Sequence, residues 1–237
     1  MTAMVYWLEQ AACDVPPGDE WLSATEAAAL GAMRFTRRRA DWRLGRWTAK
    51  RAVAAWLQLD TLAGIRIRAA PSGVPEVLVA ETPAPVKISL SHRGGRAACA
   101  IARPEVELGC DLELIEDRSA AFAADYFTAR EQILIAQAEP ADRLLLLALL
   151  WSAKESVLKA LGEGLRLDTR SVAIAPGNAW AQPCVEWRPI EARCDTGRLF
   201  HGWWQQSGRW LRTVMADPAC EEPEPTPSPA RVSRVVI

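Results

Sequence analysis

The sequence predicts an α+β fold built as two similar tandem lobes with pseudo-twofold symmetry, each a small β-sheet packed on helices. Half of the 237 residues are hydrophobic, helical and strand periodicities alternate along the chain, and one motif occurs twice. W-T-A-K-R-A-V at 47–53 returns as W-S-A-K-E-S-V at 151–157, and F-T-R-R at 35–38 returns as F-T-A-R at 127–130. Because both matches keep their order, duplication explains them better than chance similarity between amphipathic helices.

The elements follow from apolar spacing and from flanking turn residues. Expected helices are 25–33, 40–59, 128–138 and 142–161, and expected strands are 86–90, 97–102, 107–115, 185–190, 199–205 and 210–216. Gly162 and Gly164 end the last helix, because glycine is favoured just beyond a helix C-terminus. The turn at 206–209 makes the last two strands a hairpin.

The domain boundaries follow from the repeat and from the composition of the C-terminal segment. We expect an N-terminal lobe at 1–108, a C-terminal lobe at 109–217 and a flexible tail at 218–237. The tail interleaves prolines with glutamates, a composition that can bury little apolar surface.

Composition and charge exclude several classes of protein. The formal net charge is −1, which argues against a dedicated nucleic-acid binder. The longest strongly apolar run, Leu144–Trp151, is too short to cross a bilayer, and the N-terminus lacks the pattern of a signal peptide. Six cysteines without a C-x-x-C pair, together with two histidines, argue against a zinc site and favour reduced thiols in the cytoplasm. Between Arg34 and Arg51, eight basic residues accompany one acid, Asp41, so a local anion site is possible.

Two pairs of charged residues form the candidate functional site. Asp111 and Glu113 are two apart on a predicted strand, so their carboxylates point to one side and supply hard oxygen ligands of the kind that Mg²⁺ prefers. Glu155 and Lys159 are four apart on a predicted helix and share a face. Either pair alone is also typical of an ordinary polar surface; together they predict a cation site beside a phosphate site.

These residues carry a family resemblance. G-C-D-L-E at 109–113, followed by W-S-A-K-E-S-V-L-K at 151–159, resembles the 4′-phosphopantetheinyl transferases of the large, two-lobed, Sfp-like type. K-I-S-L-S-H-R-G-G at 87–95 resembles the family's S-x-S-H segment, and R-R-A-D-W-R-L-G-R at 38–46 resembles its basic N-terminal helix. The four motifs stand in the family's order, although each alone is only moderately specific.

The resemblance implies a reaction. Such enzymes transfer the phosphopantetheine arm of coenzyme A to a serine of an acyl or peptidyl carrier protein, and adenosine 3′,5′-bisphosphate leaves. Asp111, Glu113 and Glu155 would hold Mg²⁺. Glu155 and Lys159 would act in catalysis, with either Glu155 or a metal-bound water as the base.

The resemblance also implies the contacts with coenzyme A and the state of the protein. The residues expected to bind the cofactor are Arg38, Arg43, Ser91, His92, Lys154 and Lys159. A monomer is expected, because two lobes already supply the interface. One departure stands out: many relatives have a lysine where this chain has Val74, so either other cations, such as Arg93 or Arg96, hold the cofactor or the affinity for coenzyme A is lower.

Two other functions stay open. The same carboxylates could serve another magnesium-dependent phosphotransferase or hydrolase, although the sequence has no glycine-rich phosphate loop of the Walker or kinase type. A non-catalytic protein that binds coenzyme A or a carrier could also keep the scaffold.

Overall fold

Three β-sheets and two long helices make up most of this computed structural model, which describes residues 2–177, 180–181 and 185–226. The strands are β1 (Tyr6–Ala11), β2 (Ile65–Ala69), β3 (Pro75–Val79), β4 (Thr82–Pro83), β5 (Lys87–Arg93), β6 (Arg96–Ala102), β7 (Glu107–Leu114), β8 (Val172–Ala175), β9 (Arg188–Cys194), β10 (Leu199–Ser207), β11 (Trp210–Asp217) and β12 (Glu224–Pro225). The α-helices are α1 (Ala24–Gly31), α2 (Thr36–Leu57), α3 (Ala120–Tyr126), α4 (Ala129–Gln137) and α5 (Arg143–Ala160). The mixed α+β class is therefore confirmed.

The strands form one four-stranded, one five-stranded and one three-stranded sheet. Their orders are β12-β1-β6-β5, β7-β11-β10-β9-β8 and β2-β3-β4. All neighbours pair antiparallel except β12, which runs parallel to β1. The larger two sheets each carry one long helix, α2 on the four-stranded sheet and α5 on the five-stranded sheet.

Strand β6 shows how the two larger sheets meet. Ala98, Ala100 and Ala102 pack against β7 and β11, whereas Cys99 and Ile101 pack against α2. This alternation follows from the two-residue period of a strand. Small alanine side chains on one face let the two sheets approach closely.

Strands β5 and β7 join the sheets at the point where the predicted site lies. The backbone N–H of Cys110 donates a hydrogen bond of 2.9 Å to Ser89 Oγ, and the Cys110 thiol donates one of 3.1 Å to the Ser89 carbonyl. These contacts align the end of β5, with Ser91 and His92, beside Asp111 on β7.

Helix α5 owes its position to the apolar run that precedes the second copy of the repeated motif. Its residues are buried on nearly all sides, as expected for a helix that is hydrophobic around most of its circumference. The helix packs on β7 and β11. Glu155 and Lys159 therefore lie at the edge of a closed core, whereas Lys154 is buried within it.

The C-terminal segment differs from the expectation that everything after Asp217 is flexible. Residues 218–226 run along β1, where β12 pairs with Tyr6 and Trp7. Cys220 is buried, and its carbonyl accepts a hydrogen bond of 3.1 Å from Trp203 Nε1. Backbone pairing at a sheet edge tolerates proline at alternate positions, which is why a proline-rich segment fits here. The rest of the predicted tail, 227–237, lies outside the described residues.

Candidate active site

Gly109 explains how the strand and the helix of the predicted site come together. A Cβ atom at this position would overlap the carbonyl oxygen of Ser156 on α5. Only glycine permits so close an approach of β7 to the helix. The first residue of the G-C-D-L-E motif therefore sets the distance between the carboxylates of β7 and the charged residues of α5.

Asp111 is the most extensively bonded residue of the site. Its Oδ1 accepts hydrogen bonds of 2.8 Å from Ser91 Oγ and from Lys159 Nζ, and its Oδ2 accepts one of 2.8 Å from Ser152 Oγ. Ser152 in turn bonds Thr213 Oγ1 at 2.9 Å. Side chains from β5 and α5 thus fix the Asp111 carboxylate directly, and Thr213 of β11 supports it through Ser152.

Glu113 lies on the same side of β7 and is held by arginines. Its Oε2 is 3.0 Å from Arg118 Nη2 and 3.6 Å from Arg93 Nε. Burial and the neighbouring charge of Asp111 raise the pKa of Glu113, and the two arginines oppose this rise. The negative charge of Asp111 therefore acts on the Glu113 carboxylate even though two arginines lie near it.

Glu155 differs from the other two acids because it makes no hydrogen bond or ion pair with any described residue. Burial raises its pKa, the charge of Lys159 opposes the rise, and Asp111 and Glu113 add to it. A half-buried carboxylate without a partner is available to a ligand, a proton or a cation.

Lys159 lies between the acids. Its ammonium donates to Asp111 and, at 3.0 Å, to the carbonyl of Cys110. Burial acts to lower the pKa of Lys159, but the attraction of Asp111 and Glu155 outweighs it and the pKa is raised. The lysine is therefore a permanent positive charge at neutral pH.

These groups face a common space. A cavity of about 310 Å³ is lined by Ser91, His92, Asp111, Glu113, Trp151, Glu155 and Lys159, together with Leu90, Arg93 and Leu112. We call it the carboxylate cavity. The structure thus brings six predicted site residues, from β5, β7 and α5, to one place.

A larger cavity of about 660 Å³ adjoins it and shares Leu90 and Lys159 with it. We call it the large cavity. Its walls are the turn at 72–75, the turn at 162–166 and residues of β5, and its cations are Arg46, Arg68, Lys159 and Arg166. Such a space has the size of a small-molecule site.

In this conformation, the side chains of Asp111, Glu113 and Glu155 do not form a metal-binding cluster. Within the described ranges, no group of three histidine, cysteine, aspartate or glutamate side chains is arranged to hold a metal ion. Asp111 is occupied by Lys159 and two serines, and Glu113 is turned toward Arg118. The donor set nevertheless fits a hard divalent cation in its chemistry, because it consists of carboxylates, and the charge of Asp111 raises the pKa of both Glu113 and Glu155.

Lys154 does not reach the site. Its side chain is fully buried, its ammonium lies 2.9 Å from Glu131 Oε2, and it also donates to the carbonyls of Thr169 and Val172. All three donors of the ammonium are used. The expectation that Lys154 contacts phosphates is therefore not supported, and we leave it out of the proposed site.

Arg43 and Arg38 also lie apart from the two cavities. Arg43 lies 2.9 Å from Asp19 and donates to the carbonyls of residues 16–18, so it fixes that loop. Arg38 is exposed and lines a separate groove with His92. Neither arginine therefore lies where the sequence places the contacts with coenzyme A.

Arg46, on the same helix, faces the large cavity instead. Its Nε is buried and has no hydrogen-bond partner among the described residues. The nearest acid is Glu26, whose Oε1 lies 3.8 Å away, beyond hydrogen-bonding distance. The guanidinium can therefore still donate a hydrogen bond to a ligand.

Comparison with known protein families agrees with the arrangement of these motifs. The family described as the 4′-phosphopantetheinyl transferase superfamily matches residues 107–203. Residues 107–203 are therefore similar to this superfamily. The matched segment runs from β7 into β10 and includes Asp111, Glu113, Glu155 and Lys159. No curated protein matches the chain significantly.

The residues of the candidate site that come from the N-terminal half of the chain lie outside that match. Ser91, His92 and Arg46 come from β5 and α2, so their place in the site rests on the structure. Sequence reasoning missed Arg46, Ser152 and Thr213. Arg46 could have been found from the sequence, since it ends the same basic segment, 38–46, that contains Arg43. Ser152 and Thr213 could not, because their role depends on contacts between elements that are distant in the sequence. None of the described helices is long and apolar enough to cross a membrane.

Proposed function

We propose that this protein transfers the 4′-phosphopantetheine arm of coenzyme A to a serine of an acyl or peptidyl carrier protein, converting the apo form to the holo form in a magnesium-dependent reaction. The observation that carries the proposal is the junction of the two cavities at Lys159. Carboxylates suited to a divalent metal ion lie on one side of the Lys159 ammonium group. A cavity large enough for a coenzyme lies on its other side.

Three acids are assigned to the metal. Asp111, Glu113 and Glu155 would hold Mg²⁺, which when bound neutralises pyrophosphate charge and polarises the bond that breaks. Phosphoryl transfer depends mainly on positioning and on charge neutralisation. Lys159 supplies a further positive charge beside the pyrophosphate.

The proton of the carrier serine needs an acceptor. The serine oxygen attacks the phosphorus that bears the pantetheine arm, the bond from this phosphorus to the bisphosphate oxygen breaks, and adenosine 3′,5′-bisphosphate leaves with the electron pair. We assign Glu155 as the acceptor, because it is the acid without a partner in the carboxylate cavity.

The nucleotide would occupy the large cavity. Ser91 and His92 would contact its phosphates from β5, and Arg46 replaces Arg43 as the arginine of α2 in this proposal. Arg46 lines the large cavity and Arg43 does not, which supports that choice. The buried Nε of Arg46 has no hydrogen-bond partner among the described residues and favours a ligand that accepts one. Arg68 and Arg166 supply the charge that the family's lysine would provide at Val74.

We further propose that the chain has two lobes related by duplication. In each half a capping-box glutamate, Glu26 or Glu131, bonds a buried lysine of the W-[ST]-A-K motif, Lys50 or Lys154. The other oxygen of each glutamate accepts a backbone hydrogen bond, from Ile67 at 3.1 Å and from Ile174 at 2.8 Å. Two matching sets of interactions support a common origin more strongly than the short sequence repeat alone. A monomeric, cytoplasmic enzyme remains our expectation.

The test is transfer to purified apo carrier proteins. The protein is incubated with coenzyme A and several apo acyl and peptidyl carriers, with Mg²⁺ or with a chelator, and the carriers are weighed as intact proteins. We expect the mass of one phosphopantetheine arm to appear on at least one carrier with Mg²⁺ and not with the chelator. A complete lack of addition across the carriers would refute the proposal, and full addition in the presence of the chelator would refute its dependence on a metal.

A further inference from the structure

A third concave surface lies at the N-terminal end of α2. It is a groove of about 490 Å³ lined by Phe35, Arg37, Arg38, Asp41, Trp42 and His92. We call it the Phe35 groove. Its aromatic side chains are Phe35, which precedes α2 and is exposed, and Trp42, which is half-buried in the second turn of the helix.

The side chain of Phe35 does not pack in the described core. The residue is 72% exposed, and no hydrophobic cluster of the described residues includes it. Burying a phenylalanine side chain is worth about 1.5–3 kcal/mol, so one that stays in water gives the folded chain none of that stabilisation. A single exposed apolar residue is ordinary, but one that lines a groove beside a candidate site favours a contact with a partner.

The surroundings of Phe35 are positively charged. Arg34, Arg37 and Arg38 are exposed, and neither Arg34 nor Arg38 forms an ion pair with a described residue. The acid on this surface is Asp41, which lies 4.0 Å from Arg37. Three arginines against one aspartate favour a partner with acidic residues around an apolar one.

The groove adjoins the carboxylate cavity, because His92 lines both. A macromolecule that covers Phe35 would therefore lie next to the cavity that Asp111 and Glu155 line. The carrier protein must bring a serine to that place. The large cavity adjoins the carboxylate cavity at Leu90 and Lys159 and shares no lining residue with the Phe35 groove, so coenzyme A and a carrier would occupy different surfaces.

We propose that the Phe35 groove is the docking surface for the carrier protein, which presents an apolar side chain to Phe35 and Trp42 and acidic residues to Arg34, Arg37 and Arg38. This inference rests on the proposed function. It assigns Arg38 to the carrier and not to coenzyme A. Charge attraction between exposed groups weakens as salt is added, because the screening length shortens.

The experiment compares two groove variants with matched controls elsewhere on the surface. The variants are Phe35→Ala and the double variant Arg37→Glu/Arg38→Glu. The controls are Ile133→Ala and Arg130→Glu, which alter an exposed apolar and an exposed basic residue of α4. Initial rates are measured against carrier concentration at saturating coenzyme A, and against coenzyme A concentration at saturating carrier.

We expect the double charge reversal to raise the KM for the carrier about tenfold or more, and Phe35→Ala to raise it several-fold. The KM for coenzyme A should not change, and the controls should match the wild type. For the wild type the KM for the carrier should rise with salt, and this dependence should be weaker in the double variant. An unchanged KM for the carrier, or a rise in the KM for coenzyme A instead, overturns the assignment; the latter result would place nucleotide phosphates in the groove.

A direct binding measurement separates this inference from the proposed function. Fluorescence anisotropy of a labelled apo carrier is recorded without coenzyme A, so no transfer is needed. Binding by the wild type that the groove variants lose supports the docking surface even if no arm is transferred. Transfer by the wild type with equal carrier binding by all variants refutes the surface and leaves the proposed function intact. A carrier that neither binds nor is modified refutes both.

Discussion

Lys154 Nζ lies 2.9 Å from Glu131 Oε2, and both side chains are almost completely buried. Glu155 follows Lys154 in the chain but faces the carboxylate cavity. Successive residues of an α-helix point about 100° apart, so adjacent charges serve different surroundings. Lys154 joins α5 to α4 and to the segment that enters β8, whereas Glu155 belongs to the candidate site.

Removing one partner of this ion pair should destabilise the protein strongly. Lys154→Met would leave Glu131 as a buried charge without a partner, which typically costs about 3–5 kcal/mol. We expect the free energy of unfolding, measured by urea denaturation, to fall by that amount. Thermal unfolding should shift to lower temperature as well.

The double variant Lys154→Met/Glu131→Gln provides the control for the ion pair, because it removes both charges. It should recover part of the lost stability, although the amide introduced at position 131 must still accept the hydrogen bond from the backbone N–H of Ile174. If Lys154→Met were as stable as the exposed-surface variant Glu139→Gln, the structural role of Lys154 would be wrong.

Gly109→Ala should separate β7 from α5. The added methyl group would collide with the Ser156 carbonyl, and a backbone atom cannot rotate away as a side chain can. We expect a loss of stability of about 1–3 kcal/mol, typical of overpacking in a closed core, and a larger proportional loss of transfer activity. Gly45→Ala is the matched control, since nothing lies within 4 Å of a Cβ there. Equal behaviour of the two variants would contradict the close approach.

Arg166 joins the two walls of the large cavity. Its Nη2 donates hydrogen bonds of 2.9 Å to the carbonyls of Ser72 and Gly162. Hydrogen bonds from charged groups contribute about 1.5–3 kcal/mol each when they are buried, and less when they are exposed, as these two are. We therefore expect Arg166→Ala to raise the KM for coenzyme A about fivefold to tenfold, with little change in kcat. Isothermal titration of coenzyme A checks the same effect without turnover. Unchanged affinity would show that coenzyme A binding depends neither on the charge of Arg166 nor on its hydrogen bonds to Ser72 and Gly162.

The cysteines test the described core independently of activity. Cys13 is exposed, whereas Cys99, Cys110, Cys194 and Cys220 are buried. Burial raises the pKa of Cys220 to about 11, so at about pH 8 only about one thiol in a thousand is the reactive thiolate. In a Cys184→Ser background, which removes the cysteine outside the described residues, iodoacetamide should modify Cys13 rapidly and the other four only after unfolding. Rapid native labelling of Cys110 would contradict the packing of β7.

The local parts of the fold could be predicted from the sequence. Helices α2, α4 and α5, the β5–β6 pair and the β10–β11 hairpin lie close to their expected positions, because periodicity and turn residues are local signals. Strand β1 and its pairing with β12 were not foreseen. Their partners lie at opposite ends of the chain, and proline-rich composition alone gives no sign of a sheet edge.

In the candidate site, too, the local features could be predicted from the sequence and the contacts between distant elements could not. The two-residue and four-residue spacings identified Asp111, Glu113, Glu155 and Lys159, which line one cavity. Spacing could not show that Gly109 sets the distance between strand and helix, since that depends on the carbonyl of Ser156. It also could not show which arginine of α2 faces the large cavity, because the helix carries basic residues on several sides.

The role of Glu155 is tested by the single-turnover rate of phosphopantetheine transfer, compared between Glu155→Gln and Glu139→Gln. Both variants replace a glutamate near α5, but only Glu155 faces the carboxylate cavity. With saturating enzyme, coenzyme A and Mg²⁺, the account predicts a wild-type rate for Glu139→Gln and a rate lower by about 10²–10⁴ for Glu155→Gln, the range typical of losing a general base. Transfer by Glu155→Gln at the wild-type rate would contradict the account.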